Sequence, residues 1–212
     1  MKTIVYIDGE NLIHQLVEVL KVEKVIKDRS ELVYFRLRKL LESSLEDLGE
    51  INEIRYYGTK LREYKFDSDV QNRSLKKIAW SAKWSNVLQR DSIKYVKSGV
   101  LKVRDGEECR SCKQVRSVFQ EKGVDVRIAT DIVFEAIAAD VDRIVLVSSD
   151  TDLLPALERV KDKVEIIYLT HEAKITRAIT QVAHKTRTYT SAAVTDSFKA
   201  GQPKLGIEGG DL

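Results

Sequence analysis

The amino-acid sequence predicts an α/β domain built on a parallel, doubly wound sheet, and three observations support this prediction. Short apolar runs rich in β-branched residues recur at 3–7, 143–147 and 164–169, and such runs are typical of strands buried on both faces. Segments with helical periodicity alternate with these runs, which favours parallel strands joined by crossover helices. The chain has 212 residues, 43% of them hydrophobic, which suffices for one substantial core.

The helices and strands are predicted from local patterns, taken in chain order. After the first strand, Asn11 is typical of a helix-capping residue, and apolar residues then recur with helical spacing up to Leu20. Gly49 is typical of a residue that follows a helix. The further predicted elements are a helix at 30–48, a strand at 51–57, a helix at 67–88, short strands at 92–96 and 100–103, a helix from Thr130 or Asp131, a strand at 143–147, a helix at 153–160, a strand at 164–169 and a helix at 172–183.

The chain is expected to form one domain over residues 1–185, with an insertion at about 92–120 and a tail at 186–212. The two short β-like runs on either side of Ser98 and Gly99 predict a small β-hairpin or ribbon in the insertion. The tail is rich in Thr, Ser, Ala, Gly and Lys and lacks a core-forming pattern. It is therefore expected to be flexible, or ordered only by a partner.

Composition limits the classes of protein that fit. A formal net charge of +3 is small for a chain in which 33% of residues are charged, so net charge alone does not indicate nucleic-acid binding. No apolar run has the length of a transmembrane span, and the N-terminus enters a strand directly, without the apolar segment of a signal peptide. A soluble, cytoplasmic protein with no membrane partner is expected, and assembly into a homo-oligomer is left open.

Three acidic residues stand at the ends of predicted elements. Asp8 and Asp150 each follow a buried strand, and Asp131 stands at the start of a helix. Ligands of open α/β sheets bind at the carboxyl ends of the strands, so these carboxylates are expected to converge. Carboxylates held together repel each other unless a cation lies among them, and Mg²⁺ and Mn²⁺ prefer oxygen ligands. The alternative is that each acid, and Asn11 as well, only caps a helix; the coincidence of three acids at one edge favours a metal site.

Three sequence blocks support a family resemblance over about residues 1–180. They are Ile-Asp-Gly-Glu-Asn-Leu at 7–12, Glu-Lys-Gly-Val-Asp-Val at 121–126 with Asp131 beyond it, and Val-Ser-Ser-Asp-Thr-Asp-Leu-Leu-Pro at 147–155. These blocks resemble the motifs of NYN-domain proteins, in the LabA-like branch of the PIN-like nuclease superfamily. The resemblance implies a Rossmann-like (PIN-like) sheet flanked by helices, an acidic cleft, a divalent metal and RNA as the usual substrate.

The resemblance also implies roles for individual residues. The matching acidic and amide positions are Asp8, Asn11, Asp131, Asp150 and Asp152. Asp8, Asp150 and Asp131 would bind the metal directly and Asp152 through water, while Asn11 would orient a water or a phosphate oxygen. Asp125 matches a further acid that recurs in the family. Thr151 stands where the family commonly has glycine, and this departure bears on the role of Asp152.

The predicted function is hydrolysis of single-stranded or structured RNA by a metal-dependent endoribonuclease that activates water. The leading alternative is a non-catalytic RNA-binding or regulatory module of the same fold, but the presence of all the matched acids favours the enzyme. A small-molecule phosphohydrolase is a third class. It is disfavoured because the first strand lacks the Asp-x-Asp pair that such enzymes often have.

Cys109 and Cys112 are the chain's two cysteines, and their spacing is that of half a zinc knuckle. No second cysteine pair exists, and the three histidines lie far away in sequence. A closed Zn²⁺ site would therefore need ligands brought near by folding or supplied by another subunit. A redox pair or two free thiols fit the spacing equally well.

A basic segment at 58–90 contains eight lysines and arginines against three acids. Lys76 and Lys77 within it, and Lys122 near the acids, are candidate RNA-binding residues because positive charge attracts phosphates. For Lys76 and Lys77 a solvated helix face is the alternative, and for Lys122 an ordinary surface lysine is the default. Trp80 and Trp84 could stack on single-stranded bases, but burial in the core is the favoured interpretation for both.

Overall fold

The computed structural model describes residues 1–65, 68–108 and 115–203, and within them the chain forms a seven-stranded sheet flanked by helices. Its strands are β1 Thr3–Asp8, β2 Glu53–Lys60, β3 Lys94–Glu108, β4 Val115–Lys122, β5 Arg143–Val147, β6 Glu165–His171 and β7 Lys185–Tyr189. Their order is β4-β3-β2-β1-β5-β6-β7, and neighbours are parallel except β3 and β4. The predicted α/β class is confirmed, with a mixed sheet.

Helices cover both faces of this sheet. They are α1 Gly9–Val22, α2 Leu37–Ser44, α3 Ser68–Arg90, α4 Val124–Ile137, α5 Leu154–Val160, α6 Arg177–Val182 and α7 Ser191–Lys199. Successive strand residues point to opposite faces, so Val5 and Ile7 pack with α1, α2 and α7, whereas Ile4 and Tyr6 pack with α4 and α5. Burial on both faces explains the continuous apolar runs of the central strands. None of the helices in the described ranges is long and apolar enough to cross a membrane.

The position of β1 in the strand order identifies the edge of the sheet where a ligand would bind. β1 lies between β2 and β5, and β2 and β5 continue in opposite directions across the sheet. In open α/β sheets the crevice for ligands forms at such a switch in strand order, outside the carboxyl ends of the strands. Asp8 is the last residue of β1, and Asp150 follows the end of β5.

The hairpin predicted around Ser98 and Gly99 is wrong, because both residues lie inside the long strand β3. Gly99 has a φ of +66°, and a Cβ atom there would lie 2.4 Å from the Lys122 carbonyl oxygen. Gly99 lies at an irregularity in the pairing of β3 with β2, directly before the pairing with β4 begins at Val100. In the sequence this irregularity within one strand resembled a turn between two strands. The observed hairpin joins β3 to β4. Cys109 and Cys112 lie outside the described residues, and zinc at this pair stays a prediction.

The start predicted for α4 is also wrong. The helix begins at Val124, directly after Gly123, whose φ of +86° is left-handed. Val124, Val126 and Ile128 alternate like a strand, which hid the four-residue spacing of the buried positions Val124, Ile128, Ile132 and Ala136. As a result Asp131 lies within the helix and Asp125 lies at its start.

Most of the predicted tail belongs to the fold. β7 pairs with β6, and Tyr189, Val194 and Phe198 are buried in the core next to α1 and α2. The segment has little apolar character because β7 is a half-exposed edge strand, and because Thr190 caps α7 with its hydroxyl. Residues 204–212 lie outside the described ranges. Two helices are also shorter than predicted: 30–48 contains α2 between two 3-10 helices, and 172–183 contains α6 after one.

Candidate functional site

Asp8, Asp125 and Asp150 form a group of carboxylates at the carboxyl ends of the central strands. Ligand oxygens of the three residues all lie within 4.8 Å of one another. Asp8 ends β1, Asp125 is the second residue of α4, and Asp150 follows β5. Three segments that are far apart in the sequence therefore meet at one point.

Asp8 is the most buried member of this acidic group, with 6% of its surface exposed. One of its oxygens accepts a hydrogen bond from the Asn11 backbone N–H at 3.2 Å, and the other accepts from the Ser148 hydroxyl at 3.0 Å. Burial raises the pKa of Asp8 to about 6; the charges of Asp125 and Asp150 also raise it, whereas the two hydrogen bonds lower it. At neutral pH Asp8 is thus an ionised carboxylate in a place that disfavours its charge.

Gly9 fixes the position of Asp8 by letting α1 start directly against β2. A Cβ atom at Gly9 would lie 2.4 Å from both the Tyr56 ring and the Tyr57 carbonyl oxygen. A side chain here would therefore push α1 away from the sheet. Because Asp8 caps α1, that shift would also move its carboxylate.

Ser148 connects Asp8 with the loop that contains Asp150. Its hydroxyl donates to Asp8 and accepts from the Asp150 backbone N–H at 3.1 Å. Asp150 accepts from the Asp152 backbone N–H at 2.9 Å and caps a one-turn 3-10 helix. Both acids therefore cap helices as well as belonging to the acidic group. Sequence analysis did not identify Ser148. The feature that could have indicated it is its position directly after a buried strand.

Asn11 contacts the same loop and binds Ser149. Its side-chain amide donates to the Ser149 hydroxyl at 3.0 Å, and its side-chain oxygen accepts from the Ser149 backbone N–H at 3.3 Å. Gln15 donates to the Asn11 side-chain oxygen at 2.8 Å and accepts from the buried Tyr189 hydroxyl at 2.8 Å. The predicted site residue Asn11 thus ties α1 to the loop after β5. Gln15, Ser149 and Tyr189 extend this network, and no motif in the sequence indicated them.

Asp125 belongs to the acidic group because α4 begins at Val124. Burial raises the pKa of Asp125; the charges of Asp150 and Asp152 raise it further, and Lys122 lowers it. Asp152 is exposed and lies outside the group of three. Its influence on the site is electrostatic.

Asp131 lies apart from the acidic group, farther along α4. Its carboxylate accepts a hydrogen bond from the Tyr57 hydroxyl at 2.9 Å and forms an ion pair with Arg127 at 2.9 Å. The structure thus brings Asp8 and Asp150 together as predicted and puts Asp125 beside them. Asp131 instead has two partners of its own.

The predicted RNA-binding lysines lie on two elements. Lys76 and Lys77 are on α3, and Lys122 is the exposed last residue of β4. Trp84 is buried, and Trp80 stacks on it with ring centroids 5.7 Å apart. Burial in the core is therefore confirmed for Trp84, while Trp80 is half-buried.

The acidic group lacks basic partners. Within the described ranges, no ion pair joins Asp8, Asp125 or Asp150 to a lysine, arginine or histidine. Three close carboxylates, one of them buried, are stabilised most directly by a cation. The donors are all oxygens, which suits Mg²⁺ or Mn²⁺. The residues present therefore fit a divalent metal.

Comparison with known proteins identifies a family and a fold. The sequence pattern of the NYN domain matches residues 2–190. Among solved structures, the chain resembles a protein of unknown function from Vibrio parahaemolyticus, with a TM-score of 0.54 and 15% identity over 88% of this chain and 91% of that one. At this identity the likeness concerns the fold alone. None of the curated proteins matches the chain.

Proposed function

The chain belongs to the NYN-domain family, a family of PIN-like nucleases, and on this premise we propose that it is a divalent-metal-dependent endoribonuclease. The observation that supports the proposal most directly is the acidic group of Asp8, Asp125 and Asp150, whose oxygens lie within 4.8 Å of one another. NYN nucleases generally depend on a divalent metal, and a nuclease domain implies a nucleic-acid substrate. RNA as the substrate is part of our proposal.

In this proposal the acidic group holds Mg²⁺ or Mn²⁺. Such an ion, when bound, supplies an acidified water and neutralises the charge that develops on the phosphoryl oxygens. The hydrogen bonds from the Asn11 backbone N–H and the Ser148 hydroxyl keep the Asp8 carboxylate in one orientation. Asp8 must lose its proton to bind a cation, and above pH 6 it does so readily.

Several neighbours are proposed as positioning residues. Asn11 and Ser148 hold the loop after β5 and so place Asp150. Asp131 binds Tyr57 of β2 and so places α4, which contains Asp125. Asp152, exposed beside the acids, is proposed to contact the metal only through water.

Basic residues near the acids would bind the substrate backbone. The charge of Lys122 acts on the Asp125 carboxylate, and that of Lys77 acts on Glu10, which directly follows Gly9. Both lysines therefore lie within electrostatic range of the site. Lysines bind phosphates as point charges and do not distinguish bases.

Cleavage of defined oligonucleotides tests this proposal. Purified protein is incubated with single-stranded RNA, hairpin RNA, DNA and a circular RNA, each in Mg²⁺, Mn²⁺ or EDTA. We expect RNA to be cut with metal and left intact in EDTA, and the circle to be opened because an endonuclease needs no strand end.

Matched variants assign the cleavage to the acidic group. Asp8→Asn, Asp125→Asn and Asp150→Asn should each reduce the rate at least about 100-fold, whereas Asp131→Asn, with the same charge change, should retain it within about tenfold. Circular dichroism checks that each variant folds. Full activity of folded Asp8→Asn and Asp150→Asn would contradict the assignment. RNA binding with no cleavage in any metal would contradict the enzyme and favour a non-catalytic RNA-binding module.

A further inference from the structure

A cavity of about 600 Å³ lies beside the acidic group, between α3 and the sheet. Its walls include five aromatic residues, Tyr56, Trp80, Trp84, Tyr95 and Phe119. Trp84 and Tyr56 are buried at its base, while Trp80, Tyr95 and Phe119 are half-buried. Concave, mainly apolar pockets with a few polar groups are the usual form of a ligand site.

The cavity lies next to the proposed catalytic edge. Glu10, which lines it, comes two residues after Asp8, and Gly58, which also lines it, follows the β2 residue that pairs with Asp8. Glu121 lines the cavity as well, and the charges of Asp8 and Asp125 act on its carboxyl group. A group bound in the cavity would therefore be a near neighbour of a phosphate at the acids.

Three basic residues line the cavity, together with three acids. Lys76 and Lys77 of α3 line it, and the Lys77 ammonium lies 5.8 Å from the Phe119 ring centroid. Arg29 closes another side, with its guanidinium 3.9 Å from the Trp80 ring centroid. Aromatic walls combined with nearby cations are the features that hold unpaired bases and their phosphates.

Glu121 is one of the polar residues of the cavity wall, together with Asp28, Thr59 and Ser81. Of the two glutamates that line the cavity, Glu10 is held by two hydrogen bonds of 2.9 Å from Arg29. No ion pair to Glu121 occurs in the ranges that the structure describes. Burial raises the pKa of Glu121, a hydrogen bond with the Thr59 side chain lowers it, and the neighbouring carboxylates raise it. Further N–H donors facing this carboxylate would stabilise its charged form.

We propose that this cavity binds one unpaired nucleobase of the RNA strand and that Glu121 accepts hydrogen bonds from its Watson–Crick edge, favouring guanine. Guanine presents two adjacent N–H donors to a single carboxylate, at N1 and N2, whereas the other bases present one donor group there. The inference rests on the proposed ribonuclease function and deepens it, because it gives the enzyme a base preference next to the cleaved phosphate.

Tryptophan fluorescence reports on this cavity specifically. The chain has two tryptophans, Trp80 and Trp84, and both line the cavity, so a base that enters should quench the signal. The ligands are the RNA pentamers UUGUU, UUAUU, UUCUU and UUUUU, titrated in EDTA so that no cleavage occurs. We expect saturable quenching with UUGUU at least about fivefold tighter than with UUUUU, because a bidentate base contact contributes at least about 1 kcal/mol.

The variant Glu121→Gln tests the contact while preserving the shape of the side chain. It should reduce the preference for UUGUU to less than about threefold. The control Glu158→Gln removes an exposed glutamate of α5 on the other face of the sheet and should keep the preference. Thermal unfolding of both variants verifies their folding.

Two results would overturn the inference: absence of quenching by all four pentamers, or equal affinities that Glu121→Gln does not change. The proposed function fails differently. A protein that cuts RNA without pentamer quenching would lose only the base subsite, whereas specific quenching without metal-dependent cleavage would contradict the enzyme and leave the subsite in place.

Discussion

The acidic residues at the two edges of the sheet differ in their ion pairs and in the direction of their pKa shifts. At the amino ends of the strands, Glu53 forms ion pairs with Arg55 at 2.8 Å and Lys94 at 2.9 Å, and Glu165 pairs with Arg143 at 2.6 Å and Lys185 at 2.8 Å. Hydrogen bonds from Arg55 lower the pKa of Glu53 to about 2. The bond from Lys185, followed by that from Arg143, lowers the pKa of Glu165.

At the carboxyl ends the direction of the pKa changes is opposite. Burial raises the pKa of Asp8 and of Asp125, and neighbouring carboxylates raise both further. Among the described residues, no lysine or arginine forms an ion pair with the acidic group. Acids at the amino edge are thus paired with basic residues, whereas the acids that we propose bind a metal are not.

Asp131 shows why this distinction matters for assigning function. It is an acid close to the functional edge, and the family motif includes it. Its partners, the Tyr57 hydroxyl and the Arg127 guanidinium, nevertheless resemble those of the amino-edge acids. From these contacts we propose that Asp131 is a positioning residue and that Asp125 takes its place in the metal site.

Removing a cation from the amino edge should have the largest effect on stability. Arg55 is 9% exposed and bonds Glu53 and also Glu135, at 2.5 Å. Arg55→Met leaves these carboxylates without compensation and should lower the free energy of unfolding by about 3 to 5 kcal/mol. Urea unfolding measures this change.

The control for this prediction is Arg127→Met, which removes an exposed partner from Asp131. Its side chain is 56% exposed, so the loss should stay below about 1 kcal/mol. Equal losses in the two variants would show that burial does not distinguish the pairs and would weaken the contrast between the edges.

Removing a charge from the acidic group should increase the stability of the folded protein. Asp8 has a pKa of about 6 in the folded protein against an ordinary value of 3.8. Since each pKa unit corresponds to about 1.4 kcal/mol, Asp8→Asn should stabilise the metal-free protein at pH 7 by about 2 to 3 kcal/mol. Thermal unfolding in EDTA provides the measurement, and destabilisation by Asp8→Asn would contradict the account.

The pH dependence of stability follows from the same pKa. Between pH 3.8 and about 6 the folded protein holds the Asp8 proton while the unfolded chain has lost it. The native free energy of unfolding in EDTA should therefore fall as pH rises through this window. Asp8→Asn should flatten the decline. An unchanged slope would show that Asp8 does not titrate with a raised pKa.

A smaller effect, on the rate of cleavage, is expected from changes in the polar network that we propose positions the acids. Asn11→Ala removes the bonds to Ser149, and loosening of the Asp150 loop should lower kcat about tenfold with little change in KM. The control Ser43→Ala deletes a hydroxyl that bonds a helix carbonyl elsewhere. If kcat stays native in Asn11→Ala, the network has no role in placing the acids.

The smallest effect concerns RNA binding at the rim of the cavity. Reversing charge with Lys76→Glu and Lys77→Glu should weaken binding severalfold and about equally for all sequences, and should flatten its salt dependence because fewer counterions are released. The matched control reverses Lys161 and Lys163, which are exposed after α5. Native-like affinity and an unchanged salt slope would mean that RNA approaches the acids from another side.

The features of the fold and of the site that depend on the buried strands could be predicted from the sequence. The apolar runs before Asp8 and Asp150 identified both acids, because a fully buried parallel strand leaves an unambiguous pattern. Asp125 was not placed at the site, because alternating valines concealed the first turn of α4. Ser148 and the Asn11 network could not be predicted, since they depend on how separate loops meet. The strand β7 was missed because an edge strand needs few apolar residues.

Binding of Mn²⁺ tests the central claim, that the acidic group is a metal site and the paired acids are not. Isothermal titration calorimetry of native protein, Asp125→Asn and Asp131→Asn at pH 7 compares an unpaired with a paired acid in the same helix. We expect one Mn²⁺ per native chain, binding at least about tenfold weaker in Asp125→Asn, and native affinity in Asp131→Asn. Loss of Mn²⁺ binding in Asp131→Asn with native affinity in Asp125→Asn would contradict the account.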